Sequence, residues 1–334
     1  MSHYHLYAIG NALVDTEYEV SDELLSTMGV SKRHMALIDT PQRAQLLTHV
    51  QSLHARRTGG GSAGNTVVAL AQLGGKAFYS CRVADDTLGA FYTQDLQANG
   101  VATNLTHTRP PEGQTGSCMV LVTPDAERSM CTFLGATAQL DTSALHPHDI
   151  AKSQIYYMEG YLAASPTGLQ AAVQGRQIAV QNQVATALTL SDVSMINFCR
   201  AGLEAMIGDG LDYLFANEEE AQTWCGTTDL DAIIAQLSPL AQTVCLTRGP
   251  KGCIVVQGDQ RTDVPAVPTQ AVDTNGAGDM FAGTFLYGIT HGQTPAQAAA
   301  LANRTAAAVV SQHGNRLTAA QMQALHTEFQ KACA

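Results

Sequence analysis

The chain has 334 residues, 45% of them hydrophobic, which is enough for a substantial core in one large α/β domain or two smaller ones. Its formal net charge of -11 and the lack of any basic run argue against nucleic acid as a partner. A cytoplasmic protein without membrane contact is expected, because there is no signal-peptide pattern, no bilayer-length apolar stretch, and no C-x-x-C pair among the eight cysteines.

The beginning of the chain predicts β-structure with one unusual carboxylate. Strands are expected at 4–9, 12–20 and 35–39, and Thr40-Pro41 then predicts the start of a helix that runs to residue 53. Asp15 lies within the apolar second strand, where a carboxylate is costly if it is buried without partners. It either faces water or serves a ligand.

A glycine-rich loop follows, Gly59-Gly-Gly-Ser-Ala-Gly-Asn65, and leads into a helix predicted over 66–73. It contains a G-x-G-x-x-G pattern, which makes a dinucleotide-dependent oxidoreductase a distant alternative. That fingerprint must directly follow a strand, whereas residues 53–58 are polar and basic, so we reject it. A loop whose backbone closely approaches a small ligand is preferred, with Asn65 offering both a donor and an acceptor.

The middle of the chain changes from a hairpin to regular alternation. Residues 115–123 and 129–134 predict a β-hairpin without a helix, more typical of a lid than of a parallel sheet. Strands then alternate with helices, which predicts an α/β fold with a mostly parallel central sheet covered by helices. The remaining predicted strands are 76–83, 154–158, 184–190, 211–216, 242–247, 252–257 and 260–267, and the remaining predicted helices are 85–99, 167–182, 196–206, 217–225, 229–237, 294–312 and 318–332.

Two short motifs follow strands of that sheet, where ligands gather in α/β folds. Asn217-Glu-Glu-Glu220 could hold Mg²⁺ directly or through water, or could simply complement a helix dipole. Thr247-Arg-Gly-Pro-Lys-Gly252 suits a nucleotide phosphate, although a plain hairpin turn explains it equally well.

A strand-like approach then leads into Asp273-Thr-Asn-Gly-Ala-Gly-Asp279, where glycines precede a helix. Bare N–H groups at a helix N-terminus form an anion site, and Asp279 lies beside it. A carboxylate next to an anion hole indicates phosphoryl transfer, although the string alone could be an ordinary helix-opening turn.

With these motifs assembled, the sequence resembles the ribokinase-like sugar and nucleoside kinases, the PfkB family, over essentially its whole length. The two glycine motifs, the Asn217/Glu220 pair and the Thr247 turn all match family signatures. The resemblance implies a single ribokinase-like domain over 1–334, with a small β-sheet lid built from about 12–38 and 107–135.

The resemblance also implies roles for individual residues. Asp279 would be the general base, and the amides of Gly276, Ala277 and Gly278 would stabilise the transferring phosphoryl group. Asn217 and Glu220 would organise Mg²⁺ and phosphate. The implied nucleotide-binding residues are Asn217, Thr247, Gly249, Gly252, Asn275 and Asn303, and the implied acceptor-binding residues are Asn11, Asp15, Gly60, Gly61, Asn65 and Arg128.

The expected reaction is ATP- and Mg²⁺-dependent phosphorylation of a primary hydroxyl. The motifs around Asn11 and Asn275 look most like the adenosine kinase branch, so a nucleoside such as adenosine is preferred. The small Ala63-Gly64 and the lack of a clear aromatic clamp keep a free ketose or pentose as the alternative, with Tyr18, Phe133 and Tyr161 as clamp candidates. A monovalent-cation requirement and a homodimer through the lid are left open by the resemblance.

Overall fold

The computed structural model describes residues 3–107, 111–125 and 127–333. Two β-sheets organise these residues. The strands are β1 (Tyr4–Ile9), β2 (Leu13–Glu19), β3 (Met35–Leu37), β4 (Ala55–Gly60), β5 (Ala77–Ser80), β6 (Ala102–Thr103), β7 (Ser117–Val122), β8 (Arg128–Phe133), β9 (Ser153–Glu159), β10 (Ala185–Thr189), β11 (Leu211–Asn217), β12 (Ala241–Thr247), β13 (Cys253–Gln257) and β14 (Gln260–Val264).

Twelve α-helices accompany these strands in the described part of the chain. They are α1 (Asp22–Thr27), α2 (Thr40–Val50), α3 (Ser62–Gln72), α4 (Thr87–Ala98), α5 (Pro147–Ala151), α6 (Pro166–Gln181), α7 (Val193–Ile207), α8 (Glu218–Cys225), α9 (Leu230–Leu237), α10 (Ala277–Thr290), α11 (Pro295–Val310) and α12 (Ala319–Cys333). No helix within the described ranges is long and apolar enough to cross a membrane.

The larger sheet has the strand order β14-β13-β12-β11-β10-β9-β1-β5-β6. Its strands from β12 to β6 pair in parallel, whereas the β12–β13 and β13–β14 pairs are antiparallel. Hydrophobic clusters cover both faces, one including α3, α10 and α11 and the other including α6, α7 and α8. The expected α/β architecture is therefore confirmed. Parallel strands put their carboxyl ends on one edge, which is where the candidate site lies.

The second sheet has the order β3-β8-β7-β2-β4, and its β7–β8 hairpin lies where the sequence predicts it. Its strands come from both ranges expected for a lid and also from β4, which those ranges omit. Residues 108–110 and 126 of the second range lie outside the described residues.

Strand β4 corrects the reason for rejecting the dinucleotide fingerprint. A strand does directly precede the glycine loop, because Ala55–Gly60 pairs antiparallel with β2 despite its polar, basic sequence. Antiparallel pairing in the second sheet is nevertheless not the parallel β-α-β unit that the fingerprint requires. The polar sequence of 53–58 concealed this strand because β4 lies at the edge of its sheet, where outward side chains meet solvent.

The strand-like approach to Asp273 is not a strand. Residues 265–276 have no strand or helix, and the backbone N–H groups of Val272 and Asp273 both donate to Val310 O at the end of α11. The segment is therefore fastened to the helical layer. Helix α2 is capped by the Asp39 side chain, one residue before the Thr40 that the sequence suggested.

Candidate active site

Helix α10 opens at a glycine that no other residue can replace without strain. Gly276 caps the helix with φ +77°, and a Cβ there would lie 2.5 Å from Asn315 O. Gly278, by contrast, has open space around the position of a Cβ. The Ala277 N–H donates to Thr274 O at 3.3 Å. The positive charge at the N-terminus of α10 therefore comes chiefly from the backbone of Gly276 and Gly278 and from the helix dipole.

Asp279 lies in the first turn of α10 and is held by residues of the glycine loop. Its Oδ1 accepts a 2.6 Å hydrogen bond from Ser62 Oγ, and its Oδ2 accepts one of 2.9 Å from Asn65 Nδ2. Burial raises the pKa of Asp279 to about 6, against the lowering effect of these two bonds and of Arg316. The carboxylate is thus oriented by two donors, and its raised pKa still lies below neutral pH.

Asp15 lies on β2, at the boundary of the two sheets. Its Oδ2 accepts a 2.7 Å hydrogen bond from Asn315 Nδ2. Burial, with a smaller contribution from the nearby Asp279, raises the pKa of Asp15 to about 7 against the lowering effect of Arg316. A Cβ on Gly60 would lie 2.6 Å from Asp15 Oδ2, so glycine makes room for this carboxylate.

The turn between β4 and α3 is fixed by a buried carboxylate that sequence reasoning missed. Glu159, at the end of β9, accepts 2.8 Å hydrogen bonds from the Asn11 N–H and from the Ala63 N–H. Its pKa is raised to about 7 by burial, against the effect of those two bonds. Gly61 has φ +85°, and a Cβ there would collide with Asn11 O. A carboxylate ending an apolar strand was a signal comparable to Asp15 and could have revealed Glu159.

Asn315 and Arg316, in the loop after α11, were also missed. Arg316 Nε donates to Asn65 Oδ1 at 2.7 Å, and its Nη1 pairs with Asp95 at 2.6 Å. Arg316 thereby orients the Asn65 amide so that its nitrogen faces Asp279. No local sequence pattern marks these two residues, because their side chains bond to residues more than 200 positions earlier in the chain.

Asn217 and Glu220 form a reciprocal capping box at the start of α8. Asn217 donates to Glu220 from its backbone N at 3.0 Å and from its Nδ2 at 2.6 Å, and it accepts from the Glu220 N–H at 2.8 Å. Glu220 is buried, which raises its pKa to about 7. Across the described residues, no group of three His, Cys, Asp or Glu side chains is arranged to hold a metal ion. The pair offers carboxylate and amide oxygens, which are the ligands that Mg²⁺ prefers, and both Glu220 oxygens already accept hydrogen bonds from Asn217.

Arg128 connects the second sheet to the segment Asp273–Asp279, which we call the anion loop. Its Nη1 lies 2.8 Å from Asp273 Oδ2 and its Nη2 lies 2.9 Å from Glu17 Oε2. Asp273 in turn accepts the N–H groups of Asn275 at 3.1 Å and Gly314 at 3.0 Å. The guanidinium is therefore committed to ion pairs and does not line the cavity.

A cavity of about 580 Å³ unites most of the predicted site residues. It runs between the two sheets at the carboxyl ends of the parallel strands. The predicted residues that line it are Asn11, Asp15, Gly61, Asn65, Asn217, Glu220, Thr247, Asn275, Gly276, Gly278 and Asp279. Those that the structure does not bring to its wall are Gly60, Arg128, Gly249, Gly252, Ala277 and Asn303.

Besides Gly60 and Arg128, two more residues of the latter group have identifiable structural roles. Asn303 Nδ2 donates to Val264 O at 3.2 Å and to Pro265 O at 3.0 Å, anchoring the segment after β14. Gly252 has φ +87° and faces backbone atoms of the same segment. Among the aromatic candidates, Tyr161 lines the cavity, whereas Tyr18 is buried against α1 and α2 and Phe133 lies elsewhere.

Comparisons with known proteins agree with this geometry. The model of the pfkB family carbohydrate kinases matches residues 34–321. The crystal structure of adenosine kinase from Sinorhizobium meliloti has a TM-score of 0.86 at 36% identity, covering 98% of this chain and 99% of that one. The crystal structure of a probable sugar kinase protein from Rhizobium etli CFN 42 has a TM-score of 0.88 at 33% identity, covering 100% and 99%. Adenosine kinase of Saccharomyces cerevisiae is 28% identical over 310 residues, 86% of this chain and 89% of its own length.

The family match extends over most of the chain, and the structural likeness covers both sheets and the site between them. The protein is therefore an enzyme, a phosphotransferase with an alcohol group as acceptor. The chain belongs to the pfkB family of carbohydrate kinases and resembles its adenosine kinase branch.

Proposed function

We propose that the protein transfers the γ-phosphoryl group of ATP to the primary hydroxyl of an adenosine-like nucleoside, with Asp279 as the general base. The observation that carries this proposal is the position of Asp279. It lies at the open N-terminus of α10, is fixed by Ser62 and Asn65, and faces the same cavity as Asp15.

In the proposed step, the acceptor oxygen attacks the γ-phosphorus while the bond from that phosphorus to the β,γ-bridging oxygen breaks. The hydroxyl proton passes to the Asp279 carboxylate. The N-terminus of α10, with the open backbone at Gly276 and Gly278, stabilises charge on the phosphoryl oxygens. A pKa of about 6 suits a base that must be ionised near pH 7 and still accept a proton.

Mg²⁺ would neutralise charge on the ATP phosphates when bound. Asn217 and Glu220 are proposed to hold it through water, since the oxygens of Glu220 already accept hydrogen bonds from Asn217. The basic turn after β12 lies nearby, where Arg248 and Lys251 both pair with Glu218 at 3.0 Å. Thr247 lines the cavity between these groups and is proposed to face the nucleotide.

The acceptor proposal rests on the mixed lining of the cavity. Asp15 and Asn65 are polar and suit the hydroxyls of a ribose. The second sheet, which carries Asp15, also gives the cavity an apolar wall, which suits the flat face of a nucleobase. Its members are Leu13, Met35, Leu37, Val120 and Met130.

A free ketose or pentose is the second candidate. The similarity to the Rhizobium etli probable sugar kinase favours it, as does the cavity's lack of two of the three expected aromatic side chains, Tyr18 and Phe133. A free sugar would leave the apolar wall unused, and that is why the nucleoside is preferred.

A screen of ATP consumption tests the reaction and the acceptor class together. Adenosine, other ribonucleosides, D-ribose and D-fructose are compared by kcat/KM, and adenosine is expected to be the best substrate. A higher kcat/KM for either free sugar would reverse the acceptor assignment. Failure with every acceptor in the screen would refute the proposed reaction.

Asp279→Asn tests the base. The variant keeps the size of the side chain, so ATP and acceptor binding by calorimetry are expected to persist while kcat falls by about 10²–10⁴-fold. Ser153→Ala is a control for loss of a polar group far from the cavity, because Ser153 lies at the start of β9 and donates to Asp149 O. Near-full turnover by Asp279→Asn would contradict the assigned role.

A further inference from the structure

A largely buried arginine lies behind the cavity wall, next to the glycine loop. The side chain of Arg316 is 10% exposed and is not part of the cavity lining. Its Nε donates to Asn65 Oδ1 at 2.7 Å, and its Nη1 donates to Asp95 Oδ2 at 2.6 Å. Because Asn65 belongs to α3 and Asp95 to α4, one guanidinium joins the loop after α11 to both helices.

The glycine loop is shaped around this ion pair. A Cβ on Gly59 would collide with Asp95 Oδ2 and would lie 2.8 Å from Arg316 Nη1. A Cβ on Gly64 would lie 2.5 Å from the hydroxyl of the buried Tyr92. These two glycines of the G-x-G-x-x-G pattern therefore make room for side chains of the protein itself. The loop closes around an internal cation.

The Asn65 amide lies between a group that can only donate and a group that can only accept. Arg316 Nε donates to its Oδ1, and its Nδ2 donates to Asp279 Oδ2 at 2.9 Å. A reversed amide would bring Nδ2 against the guanidinium and Oδ1 against the carboxylate, and both contacts would repel. Arg316 therefore fixes the only orientation in which Asn65 can donate to Asp279.

The charge of Arg316 acts on two carboxylates of the cavity. The ionisable groups around the guanidinium are Asp95 and Tyr92 on α4, Asp279 on α10 and Asp15 on β2. Burial raises the pKa of both Asp15 and Asp279, and Arg316 lowers the pKa of both. A guanidinium cannot lose its charge near neutral pH, so this opposition to burial is permanent.

We propose that Arg316 is a positioning residue for phosphoryl transfer, which acts through Asn65 to orient Asp279 and which supplies a fixed positive charge behind Asp279 and Asp15. This inference rests on the proposed role of Asp279 as the base. Arg316 itself touches no substrate. Its two contributions, orientation and charge, are separable, because a lysine keeps the charge but lacks the planar fork that binds Asn65 and Asp95 together.

The test is the pH profile of kcat/KM for adenosine between pH 5 and 9, with attention to its acid limb, the fall at low pH. Arg316→Met should lower kcat at pH 9 by about 10–100-fold, because the Asn65 amide loses its fixed orientation. It should also move the acid limb to higher pH, because the charge that lowers the pKa of Asp279 is gone. Arg316→Lys should keep the acid limb near the wild-type position while kcat at pH 9 stays low. An acid limb that is unmoved in Arg316→Met, or that moves equally in both variants, would overturn the inference.

A second substitution separates positioning from support of the fold. Arg316→Met leaves Asp95 without its ion pair, so adding Asp95→Asn should recover melting temperature but neither kcat nor the acid limb. Recovery of all three together would mean that Arg316 serves only the fold. The matched control is Arg82→Met, because Arg82 is also largely buried, pairs with Asp141 at 3.2 Å and does not line the cavity. Its acid limb should coincide with that of wild type, and a shift equal to that of Arg316→Met would overturn the inference.

A measurement without turnover distinguishes this inference from the proposed function. The pKa of the Asp279 carboxyl is followed by ¹³C NMR in ligand-free protein labelled at aspartate, with Asp279→Asn assigning the signal. It should be higher in Arg316→Met than in wild type or Arg316→Lys. If that shift is seen but wild type phosphorylates no acceptor, the proposed reaction is refuted and the charge relation stands. If wild type is active but neither the NMR signal nor the acid limb moves in Arg316→Met, only the role of Arg316 is refuted.

Discussion

Removal of the Ser62 hydroxyl should shift the pH dependence of the reaction toward higher pH. Ser62 Oγ donates to Asp279 Oδ1 at 2.6 Å, and this bond is the first of the interactions that lower the pKa of Asp279 against burial. A hydrogen bond to a charged group contributes about 1.5–3 kcal/mol, and one pKa unit corresponds to about 1.4 kcal/mol. Ser62→Ala should therefore raise the pKa of Asp279 by roughly one to two units from about 6.

The assay is kcat/KM for the best acceptor between pH 5 and 9. In Ser62→Ala the acid limb should move upward, so that the variant is roughly tenfold slower than wild type near pH 6 and approaches it near pH 9. Ser62→Thr keeps the hydroxyl and should restore the wild-type limb, and Ser153→Ala should leave it unmoved. An acid limb that stays in place or moves down in Ser62→Ala would refute the assignment of that limb to Asp279.

Further predictions concern the anion loop, the buried carboxylates and the link between the sheets. Gly276→Ala should lower both melting temperature and activity, because its φ is +77° and its Cβ would meet a backbone oxygen at 2.5 Å, whereas Gly278→Ala should preserve the melting temperature. Asp15→Asn should raise the melting temperature of the ligand-free protein at pH 8 by a few degrees, and by less at pH 5. The sign follows because burial raises the pKa of Asp15 to about 7 from 3.8, so the folded state binds more protons than the unfolded state between these values and loses stability as pH rises; an equal gain at both pH values would contradict it. Arg128→Met should lower the free energy of unfolding by about 3 kcal/mol, because it leaves the buried Asp273 without its ion pair. In a double-mutant cycle measured by denaturation, adding Asp273→Asn should recover part of that loss, and additive losses would rule out the coupling.

Local sequence patterns were sufficient wherever the structure depends on near neighbours. The alternation of strands and helices after residue 150 predicted the parallel sheet, because burial on both faces demands apolar strands and amphipathic helices. The helix that begins after Gly276 was equally predictable, since the glycine and the helical spacing of apolar residues after it are both local sequence features. Strand β4 was missed because an edge strand satisfies only one side of its backbone and tolerates polar residues.

The sequence by itself determined the chemistry of the site: a glycine-capped helix with an aspartate in its first turn, a second glycine loop, and a lone carboxylate in an apolar strand. Only the tertiary structure decided how these groups act on one another. Ser62 and Asn65 reach Asp279 from more than 200 residues away, and Asn315 reaches Asp15 across 300. Such contacts leave no periodicity in the chain, because they depend on which strand ends meet at one edge of the folded sheet. Arg128 is predicted from the sequence to bind the acceptor, and only the structure shows that its guanidinium pairs with Asp273.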